Sequence, residues 1–254
     1  MTLAAEALGV TLGGRPVVAD ATFRLAPASL VALLGPNGAG KTSLLRALVG
    51  LVPHAGTVRH GGDDLAALGP RERARRIAYL PQGHEVHWPL PARAVVALGR
   101  LPHGAADPDR LAPVDAAAVE AAMRTTDTLG FADRPVTTLS GGERARVALA
   151  RVFAVGAPMI LADEPVAALD PGHQLAVMSA LKAAAHAGAL VVAVTHDLGL
   201  AARFADQVLV MREGRIVADG APDAALAPDV LRDVFGIEAY RATHRGEPVL
   251  VPWA

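Results

Sequence analysis

The residues Gly35-Pro36-Asn37-Gly38-Ala39-Gly40-Lys41-Thr42 have the spacing of a loop that wraps a phosphate chain in backbone N–H groups. The glycines allow the backbone to fold tightly, so that successive amides point inward at phosphate oxygens. A helix expected to begin near Ser43 adds its partial positive N-terminus, a contribution of about 0.3–1 kcal/mol per charge at exposed sites. In such a loop Lys41 reaches the β- and γ-phosphates, and the Thr42 hydroxyl is a ligand for Mg²⁺. Lys41 and Lys182 are the two lysines of a chain that otherwise uses arginine, so the compact ammonium of Lys41 reads as selected for phosphate.

Two further places carry chemistry. Asp163-Glu164 ends the apolar run that starts at Met159, and an acid at the carboxyl end of a parallel strand faces the ligand crevice of an open α/β sheet. Asp163 suits orientation of Mg²⁺ through water, and Glu164 suits a base that polarises an attacking water. Alone, the pair reads more often as a solvated loop or a helix cap. Leu139-Ser140-Gly141-Gly142-Glu143 contains a capping box from Ser140 to Glu143, opening a helix expected to run through Phe153. Two glycines inside that box cost about 1 kcal/mol each relative to alanine. They make sense where phosphate must approach a second helix N-terminus.

The elements that must position these residues are legible in outline. Leu30 to Leu34, Met159 to Ala162 and Leu190 to Val194 are short apolar runs of the kind found in fully buried parallel strands. Asp170-Pro171 starts a helix expected to reach about Ala187 and stop at Gly188. Alternating residues around Gly13-Gly14, and again around Glu213-Gly214, predict two hairpins that add antiparallel strands. Between Gln82 and about Arg151 the strand signal gives way to alanine-rich helix, with Pro113 to Thr128 helical and His103 to Pro113 a connector. Asp223 to Phe235 predicts one short closing helix.

Bulk properties bound the function. The 254 residues are enough for a well-buried core, and a formal charge of -1 gives no footprint for nucleic acid or anionic lipid. Hydrophobic content is 52%, yet no apolar run approaches the ~18 residues that span a bilayer. There are no cysteines, and Met1 to Thr11 has no basic residue ahead of its apolar part, so a cytoplasmic protein without a secretory signal is the expectation.

At the LSGGE run the sequence resembles the ATP-binding subunits of ABC transporters. The resemblance extends over essentially the whole chain, in the order phosphate loop, Gln82 after an apolar strand, LSGGE, Asp163-Glu164, Ala168-Leu169-Asp170 and Thr195-His196-Asp197. It implies an α/β fold: a P-loop NTPase (RecA-like) core with an added antiparallel β subdomain and an inserted helical subdomain. The single domain would occupy residues 1–254, with its core at about 1–82 and 152–236, the helical insertion at about 83–151 and a C-terminal tail at 237–254. By resemblance, ATP is contacted by Gly35, Pro36, Asn37, Gly38, Ala39, Gly40, Lys41, Thr42 and Ser43, and Mg²⁺ by Thr42, Gln82 and Asp163. Glu164, His196, Gln82 and Lys41 carry catalysis, Gln82 also sensing a membrane subunit and His196 contacting the γ-phosphate. Taken alone, His196 reads as an ordinary histidine after a buried strand. Leu139, Ser140, Gly141, Gly142 and Glu143 would bind the ATP held by a second copy, with Asp170 at the dimer interface, so one chain holds two half-sites.

The sequence departs from the family at Leu12, where an aromatic ring usually stacks on adenine, and at Val166, where threonine or serine follows Asp163-Glu164-Pro165. Leu12 implies adenine held by apolar contact alone, with loosened base selectivity. Three stretches, Leu98 to His103, Leu169 to Gln174 and His196 to Ala202, are similar to the importers of iron–siderophore, haem and cobalamin, as is Gly220 to Gly236. This implies an ATPase homodimer at the cytoplasmic face of the inner membrane, a two-copy permease and, indirectly, an extracytoplasmic binding protein, with haem or ferric siderophore ahead of cobalamin as cargo. His84, His87 and Trp88 read as a permease-facing or solvated loop, with a metal or haem site as the sharper alternative. A soluble ABC ATPase acting on nucleic acid or ribosomes, a transporter for another substrate and a module that binds ATP without hydrolysing it are the competing readings.

Overall fold

The computed structural model describes residues 1–83, 88–105, 107–167 and 169–253. In chain order the first elements are β1 (Leu3–Leu12), β2 (Arg15–Leu25), β3 (Ser29–Leu34), α1 (Lys41–Val49), β4 (Ala55–His60) and β5 (Asp63–Asp64). There follow α2 (Pro70–Arg76), β6 (Ile77–Leu80), α3 (Ala92–Ala97), α4 (Pro113–Thr125), α5 (Gly141–Ala154), β7 (Met159–Asp163) and α6 (Pro171–His186). The chain ends with β8 (Leu190–Val194), α7 (Leu198–Phe204), β9 (Gln207–Arg212), β10 (Arg215–Gly220), α8 (Pro222–Ala225), α9 (Pro228–Val230), β11 (Glu238–His244) and β12 (Glu247–Trp253). Backbone contacts divide it into Met1–Leu68 with Leu181–Ala254 and Gly69–Ala180, the division falling inside α6.

In the first unit β3 and β8 are apolar and buried at nearly every position, as strands covered on both faces must be. β3 lies between β8 and β9 and is parallel to both, while β10 returns antiparallel to β9 through the Glu213-Gly214 turn. β1 and β2 form the hairpin expected around Gly13-Gly14, and β4 pairs antiparallel on the other side of β1. Beneath α7, Leu198, Ala201 and Ala202 pack on Ala32, Leu34 and Val208. Asp206 anchors this layer: its carboxylate accepts from the Leu30 N–H at 2.8 Å and from Lys182 Nζ at 2.6 Å.

In the second unit α3, α4 and α5 pack around Val95, Val96, Val119, Met123, Val147 and Ala150. β6 and β7 form a parallel pair, Ile77 opposite Met159 and Leu80 opposite Ala162. The predicted helices between Gln82 and Arg151 are present. Arg100, buried, donates to Asp115 at 2.8 Å and to the Ala154 and Val155 carbonyls at 2.8 and 3.2 Å, so it satisfies acceptors that the end of α5 leaves open.

Three local expectations change. α1 starts at Lys41, because Gly40 in a left-handed conformation ends the loop there and its carbonyl accepts from Leu44 N–H at 2.8 Å. The closing helix expected over Asp223 to Phe235 is broken, since Pro228 has no N–H to continue the first turn, so α8 stops and α9 begins anew. The final segment is a β-hairpin, β11 pairing with β12 from Glu238–Trp253 to His244–Glu247.

Candidate functional site

In the first unit the site grows from strand register. Leu33 lies opposite Val194 in the parallel β3–β8 pair, and two residues beyond each, at the carboxyl edge, stand Gly35 and His196. The loop between β3 and α1 is pressed against the rest of the unit by backbone. A Cβ on Gly35, at φ +148°, would sit 2.2 Å from the Met211 carbonyl oxygen, and one on Gly40, at φ +100°, 2.4 Å from the Val17 oxygen. Nothing but glycine fits at either place. The Gly214 N–H donates to the Ala39 carbonyl at 3.0 Å, and the Gly214 carbonyl accepts from Ala19 N–H at 2.8 Å, so both hairpins brace the loop. Lys41 is 6% exposed, and its Nζ donates to the Gly35 and Pro36 carbonyls at 2.7 and 2.9 Å, which stretches the ammonium across the mouth of the loop. Asn37 and Gly38 are exposed at the tip, and Thr42 and Ser43 are half-buried in the first turn of α1.

His196 is exposed immediately after β8, between a buried Thr195 and Asp197. Asp197 caps α7 by accepting from Leu200 N–H at 2.8 Å, and its own N–H donates to Thr195 Oγ1 at 3.1 Å. The turn that carries His196 is held by these two bonds. Leu12 ends β1 opposite Arg15 and is 41% exposed.

The second unit repeats the device with side chains. Leu80 lies opposite Ala162, and two residues beyond each stand Gln82 and Glu164, whose side chains meet: Gln82 Nε2 donates to Glu164 Oε2 at 2.8 Å. Glu164 has φ +53°, a left-handed conformation that costs a non-glycine residue about 1–2 kcal/mol. Strain of this kind persists where surrounding structure imposes it, and here it accompanies a carboxylate at a strand edge. Asp163 beside it is fully buried and accepts a long hydrogen bond from Tyr79 Oη at 3.5 Å.

The capping box on α5 is present in both directions: Ser140 N–H donates to Glu143 Oε2 at 2.7 Å, and Glu143 N–H to Ser140 Oγ at 3.2 Å. The Ser140 N–H holds the Glu143 carboxyl below its ordinary value. Leu139 is buried, while Ser140 and Gly141 are exposed at the helix start. Asp170 caps α6, accepting from His173 N–H at 3.0 Å; hydrogen bonding by the His173 side chain holds its carboxyl below the ordinary range. Val166 is buried.

His84, His87 and Ala168 lie outside the described residues. Trp88 is 71% exposed. Among the described residues no group of three or more His, Cys, Asp or Glu side chains is placed to hold a metal. Tyr79, His173, Arg100 and Asp115 carry contacts that sequence reading did not single out. Tyr79 was hidden inside a run read only as apolar, and a buried Arg–Asp pair 15 residues apart leaves no local pattern.

Residues 18–167 match the family described as ABC transporter. The hemin import ATP-binding protein HmuV of Rhodococcus jostii (strain RHA1) is 45% identical over 255 residues, covering 99% of this chain and 86% of that protein. HmuV of Streptomyces coelicolor (strain ATCC BAA-471 / A3(2) / M145) is also 45% identical, over 98% of this chain and 89% of that protein. The cobalamin import ATP-binding protein BtuD of Halobacterium salinarum (strain ATCC 29341 / DSM 671 / R1) is 44% identical over 92% of this chain, which spans 59% of that protein. Among solved structures, the ATP-binding subunit of an ABC transporter superposes with a TM-score of 0.77 at 26% identity, over 93% of this chain and 94% of the other. The α/β architecture is thus that of the P-loop NTPase fold of ABC ATPases.

Proposed function

The chain belongs to the ABC transporter family as an ATP-binding subunit, and from that premise we propose how its residues hydrolyse ATP and what the hydrolysis serves. The function is ATP hydrolysis that energises import of an iron complex, haem foremost, or of cobalamin, through a membrane permease. The observation that carries the chemical part is the Gln82–Glu164 hydrogen bond at the carboxyl edge of β6 and β7.

In this reading the amides from Gly35 to Thr42 hold the phosphate chain, and Lys41 neutralises charge on the β- and γ-phosphates. Glu164 accepts a proton from water as the water oxygen bonds to the γ-phosphorus. The bond from that phosphorus to the bridging oxygen breaks, leaving ADP and phosphate. Gln82 aims the Glu164 carboxylate, and His196 donates to the γ-phosphate. Assigning these groups to one nucleotide rests on the order of motifs along the chain. The hydroxyl of Thr42 and the carboxamide oxygen of Gln82 are hard oxygen donors of the kind Mg²⁺ takes together with phosphate oxygens, and the Asp163 carboxylate would hold the ion through water. When bound, Mg²⁺ supplies charge neutralisation at the β- and γ-oxygens. Ser140, Gly141 and Gly142 act on ATP held by a second copy, so turnover requires a homodimer. Among the described residues no helix is long and apolar enough to cross a membrane. We place the subunit on the cytoplasmic face, against the permease, with an extracytoplasmic binding protein delivering the cargo.

Two variants test this. Glu164→Gln is expected to bind ATP, to dimerise in its presence and to turn over about 10²–10⁴-fold more slowly. Ser140→Arg is expected to keep single-chain ATP binding while losing dimerisation and turnover. Near wild-type ATPase rates in the first would refute Glu164 as base, and equal loss of single-chain ATP binding in the second would refute action on a second copy. Stimulation by nucleic acid, with no permease co-purifying, would refute the transport role.

A further inference from the structure

Asp170 and the Ser140–Gly142 turn begin two different helices of the second unit, and His173 touches both. Its Nδ1 lies within hydrogen-bond distance of Asp170 Oδ2. An ionised carboxylate has no proton to give, so the ring nitrogen carries the hydrogen and donates it. The His173 backbone N–H donates to the other carboxylate oxygen at 3.0 Å, so one residue engages both oxygens of Asp170. The same ring seats on α5. A Cβ built on Gly142 would lie 3.3 Å from its Cγ, Cδ2 and Nδ1, tighter than ordinary van der Waals contact, so a side chain there would push the imidazole aside by a few tenths of an ångström.

Packing alone does not hold this arrangement. A cleft of about 440 Å³, bordered by Asp127, Arg146 and Leu149, opens beside Asp170, Gly172 and His173. The Asp170 and His173 side chains are 63% and 39% exposed. The first turn of α6 therefore has room on one side, and the imidazole ties it to α5.

We infer that His173 is a positioning residue for ATP hydrolysis, joining the Asp170 carboxylate to the signature turn so that both meet the second copy's nucleotide as one rigid body. This rests on the reading that Ser140, Gly141, Gly142 and Asp170 act across the dimer. Gly142 then has two reasons to be glycine: phosphate approaches one side of the turn and the His173 ring occupies the other.

The test uses the full-length chain with His173→Ala, His173→Gln, Asp170→Ala and the His173→Ala/Asp170→Ala double variant, comparing kcat, single-chain ATP Kd and thermal midpoint. His173→Ala is expected to lower kcat about tenfold or more, the scale of a misplaced reacting geometry. Its Kd should stay within about twofold, and its midpoint within about 2 °C, since neither partner is buried. His173→Gln, whose amide reaches Asp170, should restore at least half of the lost rate. The double variant should be no slower than the worse single one, because the two residues act as a unit. Wild-type kcat in His173→Ala, losses that multiply in the double variant, or a rate that falls only in step with thermal stability would overturn the inference. Ser140→Arg separates the two levels. If it leaves turnover intact, the dimer reading itself fails; if it abolishes turnover while His173→Ala does not, the inference alone fails.

Discussion

The phosphate loop of the first unit and the Gln82–Glu164 pair of the second end parallel strands in the same register, yet they are made of different material. Beyond Leu33 and Val194 the first unit offers mainly backbone: a loop in which Gly35 and Gly40 have no room for a Cβ, crossed by one buried ammonium. Beyond Leu80 and Ala162 the second offers side chains, a carboxylate on strained backbone aimed by a carboxamide. Under the proposed function, the contrast follows from what each would handle. A phosphate chain is held by many equivalent N–H donors, so the loop is defined by where side chains are missing. A water needs one base at one atom, so the other edge is defined by side-chain identity.

Breaking the backbone half should have the largest effect. Gly40→Ala places a Cβ against the Val17 carbonyl at a left-handed φ. It is expected to cost about 1–2 kcal/mol for the conformation and about 1–3 kcal/mol for the forced shift, with ATP binding lost. Chemical denaturation and a fluorescent-nucleotide titration measure both, and an alanine variant of wild-type stability would show that the loop is not so braced.

Breaking the side-chain half should separate stability from turnover. Glu164→Gly relieves about 1–2 kcal/mol of conformational strain against a glycine entropy cost of about 0.5–1 kcal/mol. The fold should be as stable as wild type or slightly more so, while turnover falls about 10²–10⁴-fold. A marked loss of stability would mean that the Glu164 side chain holds the fold.

A finer probe is Gln82→Glu, which sets a second carboxylate 2.8 Å from the first. Like charge disfavours ionisation, so the Glu164 pKa should rise. A base with a raised pKa loses its ionised form at a higher pH, and the acid limb of the pH–rate profile should move up. An unmoved limb would show that another group is the base.

The smallest effect is expected away from both edges. Burial raises the pKa of Asp206, but the Lys182 and Leu30 hydrogen bonds outweigh it and leave the carboxyl below its ordinary value. Such a group stabilises the fold above the ordinary carboxylate range and loses that contribution as pH falls through the lowered value. Asp206→Ala should cost about 1–3 kcal/mol at neutral pH, since it leaves the Leu30 N–H without its acceptor. The gap from wild type should narrow below about pH 4, with ATP affinity unchanged. A gap that stays constant into acid would show that the ion pair contributes nothing.

Much of this was legible in residue order. The buried strands at Leu30, Met159 and Leu190, both hairpins and the capping box from Ser140 to Glu143 follow from periodicity and turn chemistry that act within a few residues. The break at Pro228 and the C-terminal hairpin were not read, the first because helical composition masked one proline, the second because β11 and β12 are largely exposed and show no clear apolar alternation. The candidate residues Gly35 to Thr42 stand out in the sequence because a phosphate-binding loop demands glycines, a lysine and a hydroxyl at fixed spacing.

What the chain order alone determined is therefore the inventory and its grouping into motifs, since those depend on spacing along the backbone. Tertiary structure decided which distant residues meet. Gln82 finds Glu164 across 82 positions because β6 and β7 run parallel in one register, and Gly40 must be glycine because Val17 approaches it from another strand. His173 rests on Gly142 because α5 and α6 begin side by side. No local pattern encodes these meetings, for each depends on how far two separate strands or helices have travelled when they come together.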